Sequence, residues 1–340
     1  MKGSQLLSLI CLLLVSSVGS AMKADTTGIF TNPLLGSGPD PWVIRHKGMY
    51  YYMHTTGHHL VIRKTEKMSD LSRAKEVVIW TPPAKGPDAR DIWAPELHRL
   101  NNKWYLYYSA GSSDSIHPQH TFVLENSAAD PATGTWTSRG QIRDTAADFF
   151  AIDGTVFRHQ GKNYFIWSGH NGKDVVQRLY IARMKSPWEL VSPRVEIAAP
   201  QYPWEHNGIN EGPEILRNAR GDVFLVFSAS GCWTDNYALG IMRLRHGTDP
   251  LQAGSWVKSP EPVLTSKPEN GAYAPGHNGF FKSPDRKEDW IIYHANSKAA
   301  QGCGPQRNPR MQRIGWNTDG SPVLGEPVKI NTPVKNPSGE

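Results

Sequence analysis

"NEGPEILRNARGDVFLVFSAS", residues 210–230, sets Glu211 and Glu214 around a Gly-Pro pair and runs at once into an apolar segment. Read in parts, it is a polar opener, a short apolar run, a turn at Gly221 and a second run of aromatic and β-branched residues closing on serines. Two such runs around a Gly turn read as a β-hairpin. Why carboxylates stand at the mouth of a buried hairpin depends on how often the unit recurs.

It recurs five times. The second runs are "GMYYYMHTTG" from Gly48, "NKWYLYYSAG" from Asn102, "GKNYFIWSGH" from Gly161, "GDVFLVFSAS" from Gly221 and "EDWIIYHANS" from Glu288. Aligning Tyr50, Trp104, Tyr164, Phe224 and Trp290 gives spacings of 54, 60, 60 and 66 residues. A near-constant period of this size, with strands inside it, predicts a propeller, and units of about 60 residues suit blades of four strands plus loops. The expected fold is all-β, a five-bladed β-propeller. The openers, "PDPWVIRHK", "APELHRLNN", "DGTVFRHQG", "EGPEILRNA" and "HNGFFKSPD", read as the starts of the innermost strands. They would ring one end of a central channel with Asp40, Glu96, Asp153, Glu211 and His277. The second strand of each blade returns to that end, so His54, Ser109, Ser168, Ser230 and His294 are expected at the same face. The first and last blades must join to remove sheet edges. Residues near Thr27–Pro33, or the tail after Trp316, are the candidates.

Composition agrees. Twelve Trp, twelve Tyr, 31 Gly and 26 Pro suit many short strands and tight turns. The net charge of +6 is spread along the chain without a Lys/Arg cluster, which argues against nucleic acid. "MKGSQLLSLICLLLVSSVGSA", residues 1–21, has one Lys, an apolar run and small residues, the pattern of a secretory signal peptide rather than a membrane span. The expectation is an exported protein, secreted or periplasmic, with no membrane partner and residues 22–340 as one monomeric domain. Cys232 and Cys303 would follow the second strands of neighbouring blades at the same face, and in an oxidising compartment they are expected to be bonded.

An aspartate before Pro or Gly is usually a turn residue. Three acids converging on a narrow channel mouth are another matter, because like charges and burial perturb their pKa values at a cost. Such a set suits glycosidic hydrolysis: one carboxylic acid protonates the departing oxygen and one carboxylate activates water. Trp93 and Trp233 could stack on sugar faces or pack between blades.

In order along the chain, "GPDPWVI", "DIWAPELHRLNNKWYLYYSA", "AIDGTVF", "NEGPEIL", "PGHNGFF" and "RMQRIGWNTDGSPVLGEP" resemble glycoside hydrolase family 43. The resemblance implies a five-bladed β-propeller and inverting chemistry, with Asp40 as base, Asp153 as the acid that modulates pKa and Glu211 as general acid. Glu214, three residues into the strand, is expected to be structural. His54, Trp93, His277 and Arg310 become candidates for substrate contact, Arg310 with surface ion pairing as its alternative. His277 resembles a histidine that some members use near a calcium ion; a histidine satisfied in the core is the other reading, and no cofactor is otherwise required. "FVLEN", "DPATGTWTSRGQI" and "NEGP" look most like the α-L-arabinofuranosidases, which release terminal arabinofuranose from arabinan or arabinoxylan, so a plant cell-wall polysaccharide or oligosaccharide is the expected partner. A β-xylosidase on the same fold and a non-catalytic sugar-binding propeller are the alternatives.

Overall fold

A computed structural model describes residues 28–114, 118–144 and 149–340; the leader-like segment lies outside them. Antiparallel sheets of three to five strands follow one another around a ring. Blade 1 holds Trp42–His46, Met49–Met53, Leu60–Thr65 and Glu76–Trp80. Blade 2 holds Arg90–Leu100, Lys103–Gly111, His120–Asn126 and Thr137–Gln141. Blade 3 holds Ala151–His159, Lys162–Gly169 and Arg178–Ser186, the last paired with Val195–Ala198 and Glu189–Leu190. Blade 4 holds Asn210–Arg217, Val223–Ala229, Ala238–Leu244 and Trp256–Lys258. Blade 5 contributes Tyr273–Lys282, Asp289–Asn296 and Asn308–Arg313. The five-bladed propeller read from the repeat is the observed fold.

The sequence builds the ring through period-two alternation, because successive strand residues face opposite sides of a sheet. Tyr50 and Tyr52 pack into the core shared with blade 5, while Tyr51 and Met53 pack into the core shared with blade 2. Trp104, Leu106 and Tyr108 face blade 1, whereas Tyr105 and Tyr107 face blade 3. An apolar cluster fills each of the five seams between neighbouring blades. The inner hairpins of blades 1 and 3 turn on Lys47-Gly48 and Gln160-Gly161, both residues of each pair at positive φ. That matches the type I′ turn, whose twist suits the flanking strands.

The N-terminal segment closes the ring. Asn32 exchanges hydrogen bonds with the backbone of Met311, Nδ2 donating at 2.9 Å and Oδ1 accepting at 3.0 Å. Leu34 N donates to Pro309 O and Gly38 N to Arg307 O, so this segment lies along the outer edge of blade 5. Ile29–Phe30 pairs with Val334–Lys335, which brings in the C-terminal tail as well.

Toward the cavity end of each innermost strand, at or just before its regular part, stands a residue in the left-handed region: Asp40, Ala94, Asp153, Gly212 and His277, with φ between 45° and 56°. For residues other than glycine this conformation is strained and needs support. The second strand of the preceding blade supplies it. Ala94 N donates to Thr55 Oγ1, Asp153 N to Ser109 Oγ, His277 N to Ser228 Oγ and Asp40 N to His294 Nδ1, at 2.7–3.1 Å. Blade 4 is the exception. Gly212 N donates to the Asp153 carboxylate at 3.0 Å, and Ser168 Oγ instead donates to Asn210 O.

Candidate active site

These strand starts open onto a cavity of about 620 Å³ at one end of the channel. Asp40, Asp153 and Glu211 line it from blades 1, 3 and 4, with His277 from blade 5. Trp93, Phe150 and Trp233 form apolar walls. Cys232 and Cys303 are joined, Cα atoms 5.2 Å apart, and this link between the loops of blades 4 and 5 is part of the wall. Trp233 is 56% exposed and lies close against Gly231, where an added Cβ would sit 2.6 Å from the indole ring.

The three acids are buried but held in different states. Asp40 accepts from Thr55 Oγ1 at 2.6 Å and from Arg307 Nη1 at 2.8 Å, and His277 Nδ1 and His294 Nδ1 each stand 3.4 Å from its Oδ1. Burial opposes its ionisation, yet the Arg307 guanidinium, then His277 and His294, outweigh that penalty and hold Asp40 well below the usual carboxylate range. Asp153 goes the other way: burial first, then the charges of Glu211 and Asp40, push it well above its ordinary value despite the Gly212 amide. Glu211 is pushed up to about 7 by burial, with Asp40 adding to the shift and the Tyr237 hydroxyl and Arg307 opposing it. Tyr237 Oη donates to Glu211 Oε1 at 2.7 Å. The Glu211 charge acts on Asp153, so the two titrate as an interacting pair whose apparent pKa values belong to both. The cavity therefore carries an ionised carboxylate beside a pair that retains protons near neutrality, from elements that differ in blade but share a strand position.

The model of the glycosyl hydrolases family 43 matches residues 30–322, almost the whole propeller. The chain belongs to glycosyl hydrolase family 43. It is 39% identical to the extracellular exo-α-(1→5)-L-arabinofuranosidase of Streptomyces avermitilis over 92% of this chain and 66% of that protein. It is also 39% identical to the enzyme of the same name from Streptomyces chartreusis, over 82% of this chain and 85% of the other. The crystal structure of an α-L-arabinofuranosidase from Lactobacillus brevis superposes with a TM-score of 0.83 at 33% identity, covering 89% of this chain and 98% of that one. The chain thus spans just under two thirds of the first relative and most of the other two.

In this family 43 chain the structure brings together Asp40, Asp153, Glu211, Trp93 and His277 and leaves out two of the expected contacts. His54 does not line the cavity. It is buried and stacked on Tyr52, and burial lowers its pKa to about 4; the next residue, Thr55, faces the site instead. Arg310 is wholly buried within blade 5, donating from Nε to Asn308 Oδ1 and from Nη2 to Asn296 O, so neither sugar contact nor surface pairing describes it. Arg307, three residues earlier, holds Asp40 and lines the cavity.

Glu96 lies deeper than the mouth. The left-handed residue of blade 2 that matches Asp40 is Ala94, and Glu96 stands two positions further on, bonded to His98 Nε2 at 2.7 Å. It also hydrogen-bonds Glu214, whose pKa is raised well above normal by burial and by Glu96. Glu214 occupies the matching position two residues after Gly212, which accounts for it as a channel residue.

Sequence reasoning missed Gln177 and Arg307, which line the cavity, and Tyr237, which donates to Glu211. Each directly precedes a third strand, at Arg178, Ala238 and Asn308. Third strands start at the cavity end, so the topology already read from the repeat contained the signal. For calcium, the test is the donor set. Calcium takes six to eight oxygens. Among the described residues no group of three or more His, Cys, Asp or Glu could hold a metal ion. The carboxylates nearest His277 are engaged, Asp40 by Thr55 and Arg307 and Asp153 by Gly212. These residues do not form a calcium cage, and no step below passes through an ion.

Proposed function

We propose that the chain is an exported, exo-acting α-L-arabinofuranosidase that hydrolyses terminal arabinofuranosyl residues with inversion. The observation that carries this reading is the opposite tuning of Asp40 and Glu211 across one cavity. Asp40, ionised, takes a proton from the attacking water. Glu211, protonated at working pH, gives its proton to the departing glycosidic oxygen, for which a raised pKa is the requirement. Asp153 keeps the proton inventory of the pair and fixes the Gly212 amide beside Glu211. Trp93, Phe150 and Trp233 supply apolar surface for the sugar faces, and the disulfide-linked loops narrow the cavity on the side of blades 4 and 5. The two Streptomyces relatives, whose names specify an exo α-(1→5) arabinofuranosidase, support the sugar, and their extracellular description together with the disulfide supports export.

The test is a paired assay on nitrophenyl α-L-arabinofuranoside and nitrophenyl β-D-xyloside, with proton NMR of the first product. Turnover of the arabinofuranoside with an inverted anomer is expected. Preference for the xyloside would move the chain to the xylosidases, and a retained anomer would remove Asp40 from the role of base. Sugar binding without turnover of either substrate would leave a non-catalytic propeller.

A further inference from the structure

Five residues after each left-handed strand start comes a cation: Arg45, Arg99, Arg158, Arg217 and Lys282. One falls on every blade at the same register, at the far end of the innermost strand. In sequence they are 54 to 65 residues apart and form no cluster. The ring gathers them.

Four of the five, with Arg286, line a second cavity of about 480 Å³ at the opposite mouth of the channel. Its lining carboxylates are Asp289, paired with Lys282 at 2.5 Å, and Glu214, whose ionisation burial opposes. Among the described residues, none of Arg45, Arg158, Arg217 and Arg286 is in an ion pair. Aromatic rings hold two of them in place: Arg45 lies 5.4 Å over Tyr50, and Arg217 lies 5.3 Å over Phe157. Arg45 Nε is buried without a hydrogen-bond partner. Guanidinium groups without a carboxylate partner gathered around one concavity repel one another and concentrate a positive potential there.

We infer that this far mouth binds a carboxylate-bearing polysaccharide, a polyuronate in chemical class. Guanidinium forks match carboxylates geometrically, whereas a neutral glycan offers them no charge to pair. A polymer held at this end leaves the catalytic cavity, at the other end of the channel, free to work on chain ends. The choice of a polysaccharide over another polyanion rests on the proposed hydrolysis of glycans, so binding and catalysis are to be measured separately.

The experiment is affinity electrophoresis of the full chain through gels containing polygalacturonate, fully methyl-esterified polygalacturonate or duplex DNA, at low salt and at about 0.3 M salt, where exposed charges are screened. Polygalacturonate should retard the protein at low salt, at least about tenfold more strongly than its neutral ester, and high salt should abolish the effect. Arg158→Gln with Arg286→Gln, both exposed positions, should weaken retardation about tenfold without changing the hydrolysis of nitrophenyl arabinofuranoside, and Arg217→Lys, which keeps the charge but loses the planar fork and its stacking on Phe157, should also weaken it, by less than the double variant. Equal retardation by the ester, undiminished binding by the double variant, or DNA bound as tightly as the polyuronate would each overturn the inference. If the double variant melts below the wild type, Lys282→Gln gives the same reading from a third position on the ring. An inactive wild type that still binds polygalacturonate would refute the proposed hydrolysis and leave this site standing.

Discussion

Asp40 in blade 1 and Asp153 in blade 3 hold the same place in the fold. Each stands at the cavity end of an innermost strand at φ 53° or 56°, each is buried, and each has its backbone N–H held by the second strand of the preceding blade. Their carboxyl groups nevertheless titrate in opposite directions. Position and burial are shared, so neither makes the difference. The neighbours do: Asp40 faces Arg307 and two histidines brought from blade 5, and Asp153 faces Glu211 from blade 4. A repeat can therefore supply the same strained aspartate twice and obtain a base from one and a proton-holding group from the other.

Removing the groups at the two ends of this contrast should have the largest effects. Asp40→Asn should lower kcat on every substrate by about 10²–10⁴-fold, since water needs a base whatever leaves. Glu211→Gln should cause a loss of that size on arabino-oligosaccharides, whose alkoxide leaves poorly, and a much smaller one on nitrophenyl arabinofuranoside. Equal losses on both substrates would take the acid role from Glu211.

Changing a neighbour should move a pKa instead. For the wild type, kcat/KM should fall on the alkaline side near pH 7, as Glu211 loses its proton, and on the acid side only below the usual carboxylate range, as Asp40 gains one. Arg307→Met removes the charge that keeps Asp40 ionised, so the acid limb should rise by on the order of one pH unit. An unmoved acid limb would mean that Arg307 does not distinguish Asp40 from Asp153. Tyr237→Phe removes a hydrogen bond that favours the Glu211 carboxylate. The alkaline limb should then move upward by about half a unit, the equivalent of one modest hydrogen bond. A downward move would refute that donor role.

The smallest expected effect is on stability. Glu214 has a folded-state pKa above its unfolded value, so its contribution is fully present below the unfolded pKa and is lost as pH rises through the folded one. Glu214→Gln keeps the shape and removes the titration, and the fall of Tm with rising pH should flatten. A curve parallel to the wild type would locate that pH dependence elsewhere.

The number of blades, their hairpins and the convergence of Asp40, Asp153 and Glu211 were legible because they rest on period-two alternation and a long repeat, both carried by residue type. What failed was register. The sequence pattern makes Glu96 the opener of blade 2, yet register shifts between Arg90 and Trp93 and between Trp93 and Glu96 set it past the left-handed Ala94. The left-handed starts that mark true register include Ala94 and Gly212, and residue type does not reveal that they correspond to Asp40. The motif points to Arg310, but the strand Asn308–Arg313 turns Arg310 into the blade. His54 was lost to its neighbour Thr55 in the same way, by one step along a chain whose side alternates. The far ring of cations escaped because its members are close only after the chain has closed.

The closure has a consequence in time. Asp40 depends on His294, 254 positions later, and on Arg307, 267 positions later. The clasp of Asn32 on Met311 spans 279 positions. A chain emerging from N to C terminus therefore has its base early and lacks until nearly the end the residues that set the ionisation of that base. Fragments that stop before blade 5 can form hairpins and whole seams, and they should hydrolyse nothing.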